Sequence, residues 1–403
     1  MKPPVYLHAL GMINALGHEL PDIASRLFAG DTSGMRTRDA WPQASPCPPP
    51  LVGAVRLADH ELPPLPARLQ RYDCRNNRFL VAATQQLHPA LTRHVERYGK
   101  TRIGVVIGTS TSGIDAGEAA LRRLSDSGAL PERYHYLQQA LGSPAQFVAE
   151  WLGVQGPAYT ISTACTSSAK AFGAARRLID SGLCDAVVTG GADALCDLTL
   201  GGFGSLESLS QGLSRPMSRH RDGINIGEGA MVCLMSREPG DVVFSGIGES
   251  SDAHHVSSPA PDGHGAIAAM RAALSDAGMP ASQIEYVHLH ATGTPKNDEM
   301  ESLATHQCFG AQTWVSGTKP MTGHLLGAAG ATGIGLCWLT LLADGHLPPH
   351  IWDGDTDPLL SPLRLVNPQT RLEQAPRHVM TNAYAFGGNN VSVILSRSGA
   401  GNA

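Results

Sequence analysis

Short apolar runs alternate with Ala- and Gly-rich segments along this chain. Four runs have the composition of buried strands, at residues 102–108, 185–190, 286–290 and 391–395. Three Ala/Gly-rich segments predict helices, at residues 169–181, 263–277 and 327–343. Alternation of strands with helices predicts an α/β fold in layers. Small residues allow close helix packing, so these helices are expected between layers.

Two further segments have their own patterns. Residues 1–17 are moderately apolar but include Lys2, His8 and Asn14, and they lack a small-residue cleavage site. They predict the first strand and its turn, not a secretory signal. Residues 41–66 contain eight prolines, which predict a surface excursion without regular structure.

Composition narrows the class of protein. The 403 residues carry 30 Lys+Arg and 35 Asp+Glu, a net charge of −5, and only 16% are charged, against about 25% in typical domains. So little charge predicts surface hidden against another subunit. The chain has no block of basic residues that would support nucleic-acid binding. It also has no apolar run of about 18 residues, the length that a membrane-spanning helix needs. The eight cysteines form no C-x-x-C pair, which favours free thiols in the cytoplasm over disulfides or a zinc site.

One cysteine is a candidate nucleophile. Cys165 follows a β-like run and stands where the Ala-rich helix at 169–181 begins. The positive end of a helix dipole favours a thiolate. The alternative is a buried structural cysteine, which is the interpretation for the other seven.

Two histidines in glycine-bracketed segments strengthen this candidate. His290 ends the strand at 286–290, and His324 opens the helix at 327–343. Both are expected on loops at the ends of parallel strands, where active sites lie. Together with Cys165 they indicate a Cys-His-His acyl-transfer centre. A metal site is not expected, because the histidines lack local ligand spacing.

Three charged residues and a turn complete the candidates. Lys319 precedes His324 in an uncharged setting, and Asp298 and Glu301 offer counter-charges if their loops meet. The Gly-Gly turn after Phe386 can aim backbone N–H groups at an oxyanion.

In the order of its motifs, nearly the whole chain resembles the elongating, two-histidine type of β-ketoacyl-acyl-carrier-protein synthase, in the thiolase-like superfamily. The motifs are GMINALG at 11–17, RIGVVIG at 102–108, TACTS at 163–167, SRP at 214–216, RDG at 221–223, GEGA at 227–230, HATGTPKND at 290–298, GTKPMTGHLLGAAG at 317–330 and FGG at 386–388. The resemblance implies a five-layered αβαβα fold made of two duplicated halves, residues 1–240 with the cysteine and 241–403 with both histidines. It also implies a dimer.

The resemblance assigns roles to these residues. Cys165 would carry the acyl chain, and His290 and His324 would assist decarboxylation of malonyl-carrier protein. Lys319 would orient the histidines through a network with Asp298, and the N–H groups of Cys165 and Phe386 would form the oxyanion hole. Thr292 and Thr294 match positions that hold the carrier's phosphopantetheine arm, so no dissociable cofactor is implied.

The chain departs from the family pattern at several positions. Ala291 is usually Gly, Gly333 is usually a Glu that joins the lysine network, Asn389 is usually Thr, and Tyr384 is usually Phe. Where the family often has Phe-Val, the chain has Ile224 and Asn225. Without the Glu, Lys319 would rely on Asp298 or have a lowered pKa. These departures predict a reshaped pocket, with four candidate lining residues: Phe203, Ile224, Tyr384 and Phe386.

The motifs disfavour three related classes of protein. A chain-length-determining partner subunit would lack the nucleophilic cysteine, a thiolase would have Cys-Gly-Gly where Phe386-Gly-Gly stands, and an initiating synthase would have Asn in place of His324. The departures favour extension of a polyketide-like chain, such as an aryl polyene, over housekeeping fatty-acid synthesis. The expected partners are an acidic carrier protein, for which Arg68 and Arg71 are docking candidates, and a second subunit in a homodimer or heterodimer.

Overall fold

The computed structural model describes residues 3–38 and 48–399. The strands are β1 (Tyr6–Ile13), β2 (Met35–Thr37), β3 (Leu51–Gly53), β4 (Ile103–Gly108), β5 (Ala158–Ile161), β6 (Ala186–Asp193), β7 (Gly229–Ser236), β8 (Val242–Ser251), β9 (Tyr286–His288), β10 (Trp314–Ser316), β11 (Arg364–Leu365), β12 (His378–Ala385) and β13 (Asn389–Arg397).

The α-helices are α1 (Leu20–Ala29), α2 (Arg75–Gln85), α3 (His88–Tyr98), α4 (Ile114–Ser127), α5 (Ser143–Leu152), α6 (Ser167–Asp180), α7 (Asp197–Ser205), α8 (His264–Ala277), α9 (Pro295–Phe309), α10 (Lys319–Thr322) and α11 (Ala329–Leu342). Short 3-10 helices cover Ala67–Tyr72, Lys100–Arg102, Tyr136–Gln138, Ala281–Gln283 and Leu326–Ala328. None of the helices described here combines the length and the apolar composition that a membrane span requires.

The strand order reveals the duplication. Eleven strands run in the order β11-β10-β9-β12-β13-β8-β1-β7-β6-β4-β5. When β2, β3 and β11 are set aside, each half has five strands. In both halves the first strand lies beside the fifth, followed by the fourth, second and third: β1-β7-β6-β4-β5 and β8-β13-β12-β9-β10. The pairing directions also match, antiparallel for the first two contacts and parallel for the last two. The predicted thiolase-like fold from two duplicated halves is confirmed.

Helices separate and cover the two half-sheets. Helices α6 and α11 pack against each other and against strands of both halves, while α2 and α5 cover the first half and α8 covers the second. This is the five-layered αβαβα arrangement. Its central apolar cluster includes Phe172 and Ile334, and separate clusters around Phe147 and Met270 lie beneath the outer helices. The β1–β8 contact, with Tyr6 opposite Val243, joins the half-sheets at their edges.

The predicted elements correspond to β4, β6, β9, β13, α6, α8 and α11, with ends that shift by up to three residues. Residues 286–290 form a strand only as far as His288, since the chain then turns through Ala291 at a φ of 44°. The N-terminal segment forms β1 and a turn at Asn14–Gly17, as predicted.

The interpretation of the proline-rich segment was wrong in part. Residues 41–47 lie outside the described ranges, but the following residues form β3, which pairs with β2. Val52, Leu62 and Leu65 are buried, because the apolar side chains between the prolines pack on the core. The segment is therefore anchored and is not a simple surface excursion.

The seven cysteines in the described ranges are free. Cys47 lies outside those ranges.

The close approach of α6 and α11 is testable at Gly330. A Cβ at this position would lie 2.7 Å from Cβ of Ala169 and 2.8 Å from its nitrogen. We expect Gly330→Ala to lower the free energy of unfolding by about 1–3 kcal/mol, because overpacking forces the helices apart. Urea unfolding measures this change.

Gly201 provides the control, because it is also helical but has open space where a Cβ would stand. There we expect alanine to leave stability unchanged or raise it by up to about 1 kcal/mol. Equal effects at the two positions would contradict close packing of the central helices.

Candidate active site

Cys165 lies in the turn between β5 and α6, two residues before the helix begins. Ala164 just before it has a φ of 51°, a left-handed conformation that costs a non-glycine residue about 1–2 kcal/mol. The hydroxyl of Ser167 accepts a 2.8 Å hydrogen bond from the N–H of Thr163 and donates to the carbonyl of Ala164. These contacts hold the turn and keep the thiol in the interior between the halves.

His324 comes from the corresponding place in the second half. It precedes α11 as Cys165 precedes α6, and the two helices pack together. Its Nε2 lies 2.9 Å from Sγ of Cys165. Its backbone N–H donates to the carbonyl of Asn225 at 2.7 Å, and its own carbonyl accepts from the N–H of Gly227 at 2.8 Å. Asn225, one of the departures from the family pattern, thus holds this histidine through its backbone carbonyl.

His290 completes the group from the end of β9. Its ring lies perpendicular to that of His324, with centroids 5.3 Å apart. Sγ of Cys165 and one nitrogen of each imidazole all lie within 4.8 Å of one another. The structure therefore brings together the three residues that the sequence singled out. Their spacing would also admit a metal ion, although local spacing along the sequence gave no reason to expect one.

Two buried charges hold the backbone at His290. The Glu301 carboxylate accepts the N–H groups of His290 and Ala291 through separate oxygens, each at 2.6 Å. From the other side, the Lys319 ammonium donates to the carbonyl of His290. Both peptide groups that flank the histidine are therefore fixed, and the ring has little freedom to move.

Asp298 acts on Lys319 through its charge, as the resemblance implied, but more weakly than Glu301 does. Its carboxylate accepts N–H groups from Met217 at 2.8 Å and Gly293 at 3.2 Å. The main counter-charge of Lys319 is Glu301. Burial lowers the pKa of Lys319, the direction expected when the usual second carboxylate is missing, while Glu301 opposes that shift.

Burial also decides the protonation of the three central groups. It raises the pKa of the Cys165 thiol to about 12, although the charge of Lys319 and the N–H groups of Cys165 and Phe386 act in the opposite direction. Burial therefore opposes the thiolate that the helix terminus favours, and it keeps the proton on Sγ in the resting site. Burial and the charge of Lys319 hold the pKa values of His290 and His324 well below 6.5. Both imidazoles are neutral, and Nε2 of His324 can accept the thiol proton.

A pocket of about 320 Å³ opens onto these groups. The four residues proposed as its lining all border it: Phe203, Ile224, Tyr384 and Phe386. The rings of Phe203 and Phe386 stack with centroids 5.5 Å apart. Thr292 and Thr294 also line the pocket, and their hydroxyls are 2.9 Å apart. Lys319, Asp298 and Glu301 are buried behind this surface and do not line the pocket.

Two of the departures from the family pattern have local explanations. The positive φ at position 291 favours glycine, but alanine fits because Gly317 leaves space for the Cβ of Ala291. A Cβ on Gly317 would lie 2.3 Å from the Cβ of Ala291. Asn389 accepts a 2.8 Å hydrogen bond from the ammonium of Lys170.

One residue at the site was missed. His288 has both ring nitrogens within hydrogen-bonding distance of threonine hydroxyls, and the His-x-His pattern at 288–290 was its only signal in the sequence.

The protonated state of Cys165 predicts how it reacts with iodoacetamide. Only the thiolate is alkylated, so the rate should rise about tenfold per pH unit between pH 6 and 9 without a plateau. Peptide mass spectrometry of the Cys165 peptide measures this rate, and Cys165→Ala reports the background from other thiols. A plateau beginning near pH 7 would show that the thiolate forms at rest and would contradict the effect of burial.

Comparison with known proteins agrees with this geometry. Residues 4–239 match the family model for the beta-ketoacyl synthase N-terminal domain, and residues 242–352 match the model for the C-terminal domain. The chain is 31% identical to 3-oxoacyl-[acyl-carrier-protein] synthase 2 of Vibrio cholerae, over 98% of this chain and 99% of that protein.

Two solved structures are also similar. A chain in the structure of the ketosynthase ApeO in complex with its chain length factor ApeC, from Xenorhabdus doucetiae, is 44% identical over 98% of each chain, with a TM-score of 0.93. The ishigamide ketosynthase/chain length factor is 25% identical over 99% of this chain and 100% of that chain, with a TM-score of 0.88. The chain therefore belongs to the beta-ketoacyl synthase family, as an acyltransferase that forms a carbon–carbon bond in fatty-acid or polyketide biosynthesis.

Proposed function

We propose that Cys165 holds the growing acyl chain and that His290 and His324 activate the malonyl extender that attacks it. The observation that carries this proposal is the 2.9 Å contact between Sγ of Cys165 and Nε2 of His324, within reach of His290. A nucleophile beside a base and beside backbone N–H donors is the arrangement that acyl transfer requires.

In the first half-reaction, the thiol attacks the thioester of an acyl-carrier protein. Its proton passes to Nε2 of His324 and then to the departing sulfur of the pantetheine arm. The N–H groups of Cys165 and Phe386, which both act on Sγ, stabilise the oxyanion of the tetrahedral intermediate. The acyl chain is then bound to Sγ and extends into the pocket.

In the second half-reaction, His324 has changed to the tautomer that carries its proton on Nε2, and the ring N–H groups of His290 and His324 donate hydrogen bonds to the thioester oxygen of malonyl-carrier protein. Loss of CO₂ leaves an enolate, whose charge these neutral imidazoles stabilise. Its carbon attacks the acyl carbonyl, the bond to Sγ breaks, and a 3-oxoacyl-carrier protein leaves. The thiolate regains a proton from solvent. Glu301 and Lys319 act by keeping His290 in place.

The pantetheine arm would pass Thr292 and Thr294, whose hydroxyls line the pocket. The arm arrives bound to the carrier protein, so we propose that the enzyme uses no dissociable cofactor. Free cysteines suit a cytoplasmic enzyme.

The guanidinium of Arg71 is paired with Glu150 at 2.7 Å, and that of Arg68 donates to the carbonyl of Glu150. Arg68 is therefore the freer of the two candidates for docking an acidic carrier.

We further propose that the second subunit is a chain-length partner in a heterodimer. In the second half, β11 covers the outer edge of β10. The equivalent strand β5 pairs only with β4 within the described residues, and its Tyr159 is 38% exposed. Leu141, which is 43% exposed, stands next to Gly142, whose carbonyl accepts a hydrogen bond from Thr160 of β5. An open apolar edge is suited to a partner strand, and ketosynthases with chain length factors are among the similar structures.

The pocket supports a polyketide-type substrate. Phe203, Phe386 and Tyr384 present aromatic surface to the acyl chain, and aromatic rings stack well on planar conjugated groups. We therefore propose that the enzyme extends conjugated or aromatic acyl chains.

Replacing the nucleophile separates the two half-reactions. We expect Cys165→Ala to abolish acyl transfer and condensation, because no sulfur remains to carry the chain. Malonyl-carrier protein should still lose CO₂, because both histidines remain. Product analysis and CO₂ release measure the two outcomes. Condensation by this variant would show that another group carries the chain.

The substrate class is tested with a panel of starters on acyl-carrier proteins, each supplied with malonyl-carrier protein. The purified enzyme is assayed alone and with a chain length factor. We expect aryl and polyene starters to be extended at least about tenfold faster than saturated medium chains, since stacked rings contribute about 0.5–1.5 kcal/mol each. Equal or faster turnover of saturated chains would refute the polyketide assignment.

A further inference from the structure

Gly333 is in the interior of α11, where glycine destabilises a helix relative to alanine. Its surroundings explain this choice. A Cβ at this position would lie 2.5 Å from Oγ1 of Thr381, 3.1 Å from Nδ1 of His288 and 3.3 Å from its Cε1. The missing side chain therefore leaves room for a pair of polar groups that meet at this point.

His288 is the last residue of β9, two positions before His290, and its side chain is buried. Nδ1 lies 3.0 Å from Oγ1 of Thr381, on the neighbouring strand β12. Nε2 lies 2.9 Å from Oγ1 of Thr318. A hydroxyl can donate or accept, so both ring nitrogens are satisfied in either neutral tautomer. Burial and the charge of Lys319 lower the pKa of His288 to about 3, which keeps the ring neutral.

The bond to Thr318 connects His288 to the catalytic groups. Thr318 directly precedes α10, and its carbonyl accepts the N–H groups of Met321 at 2.9 Å and Thr322 at 3.2 Å. The next residue is Lys319, whose ammonium reaches the carbonyl of His290. The imidazole of His288 is held by Thr381 of β12 on one side and by Thr318 on the other. It therefore fixes the start of the one-turn helix that carries Lys319.

We propose that His288, held between Thr381 and Thr318 in the space left by Gly333, is a positioning residue for the condensation step. It aims Lys319 at the peptide group of His290 and so keeps the imidazole of His290 directed at the extender. This inference rests on the proposed function, because it assigns His290 to decarboxylation and leaves acylation to Cys165 and His324.

The test uses two matched changes at Thr318. Thr318→Val keeps the shape of the side chain but removes the hydroxyl that pairs with His288, whereas Thr318→Ser keeps the hydroxyl. The side chain of Thr318 makes no helix-capping hydrogen bond, so valine does not remove a cap. Acylation of Cys165 is measured by mass spectrometry and condensation by product formation, each relative to the amount of folded protein.

We expect Thr318→Val to slow condensation by at least about tenfold, because one nitrogen of a buried ring loses its partner. Acylation of Cys165 by Thr318→Val should change by less than about twofold. The separate variant Thr318→Ser should retain most of the wild-type condensation rate. His288→Phe, which removes both hydrogen bonds, should reproduce the selective loss.

Two results would overturn the role of His288. One is equal condensation by Thr318→Val and the wild type, and the other is an equal loss in both half-reactions, which is the result expected of a merely structural residue. A wild-type protein that fails to condense any acyl chain would instead refute the proposed function, so the two failures are distinguishable.

Discussion

The close packing of α6 against α11 is the constraint on which the rest of the site depends. Each helix follows the third strand of its half, and each is preceded by a reactive side chain, Cys165 in one half and His324 in the other. Because small residues such as Gly330 and Ala169 meet between the helices, the two helix starts come close together. The duplicated topology thereby places a thiol and an imidazole in direct contact.

The same burial determines the chemistry of the site. Removal from water favours the neutral forms of Cys165, His290 and His324. A neutral thiol beside a neutral imidazole transfers a proton only when a substrate arrives, and neutral imidazoles can donate hydrogen bonds to an enolate. The charges of Glu301 and Lys319 lie behind the pocket, where they hold the backbone of His290 from both sides.

Much of this was predictable from the sequence. The α/β alternation, the order of the motifs and the candidates Cys165, His290 and His324 required only local patterns. The role of Glu301 required knowledge of which loops meet, and the open edge of β5 required the strand order. The effect of burial on the Cys165 thiol also required the fold, because a position at the start of a helix says little about burial. In the sequence, Gly333 was interpreted as the loss of a counter-charge for Lys319. In the structure, the absence of a side chain at Gly333 makes room for His288. The sequence does not reveal this contact, because the two residues are 45 positions apart.

The central claim is that the acyl chain is carried on Cys165 between the two half-reactions. It is tested most directly by incubating the enzyme with an acyl-carrier protein in the absence of malonyl-carrier protein and mapping the modified peptide by mass spectrometry. The account predicts one acyl group per chain, on the peptide that contains Cys165, and its loss when malonyl-carrier protein is added. An acyl group on any other residue, with Cys165 unmodified, would contradict it.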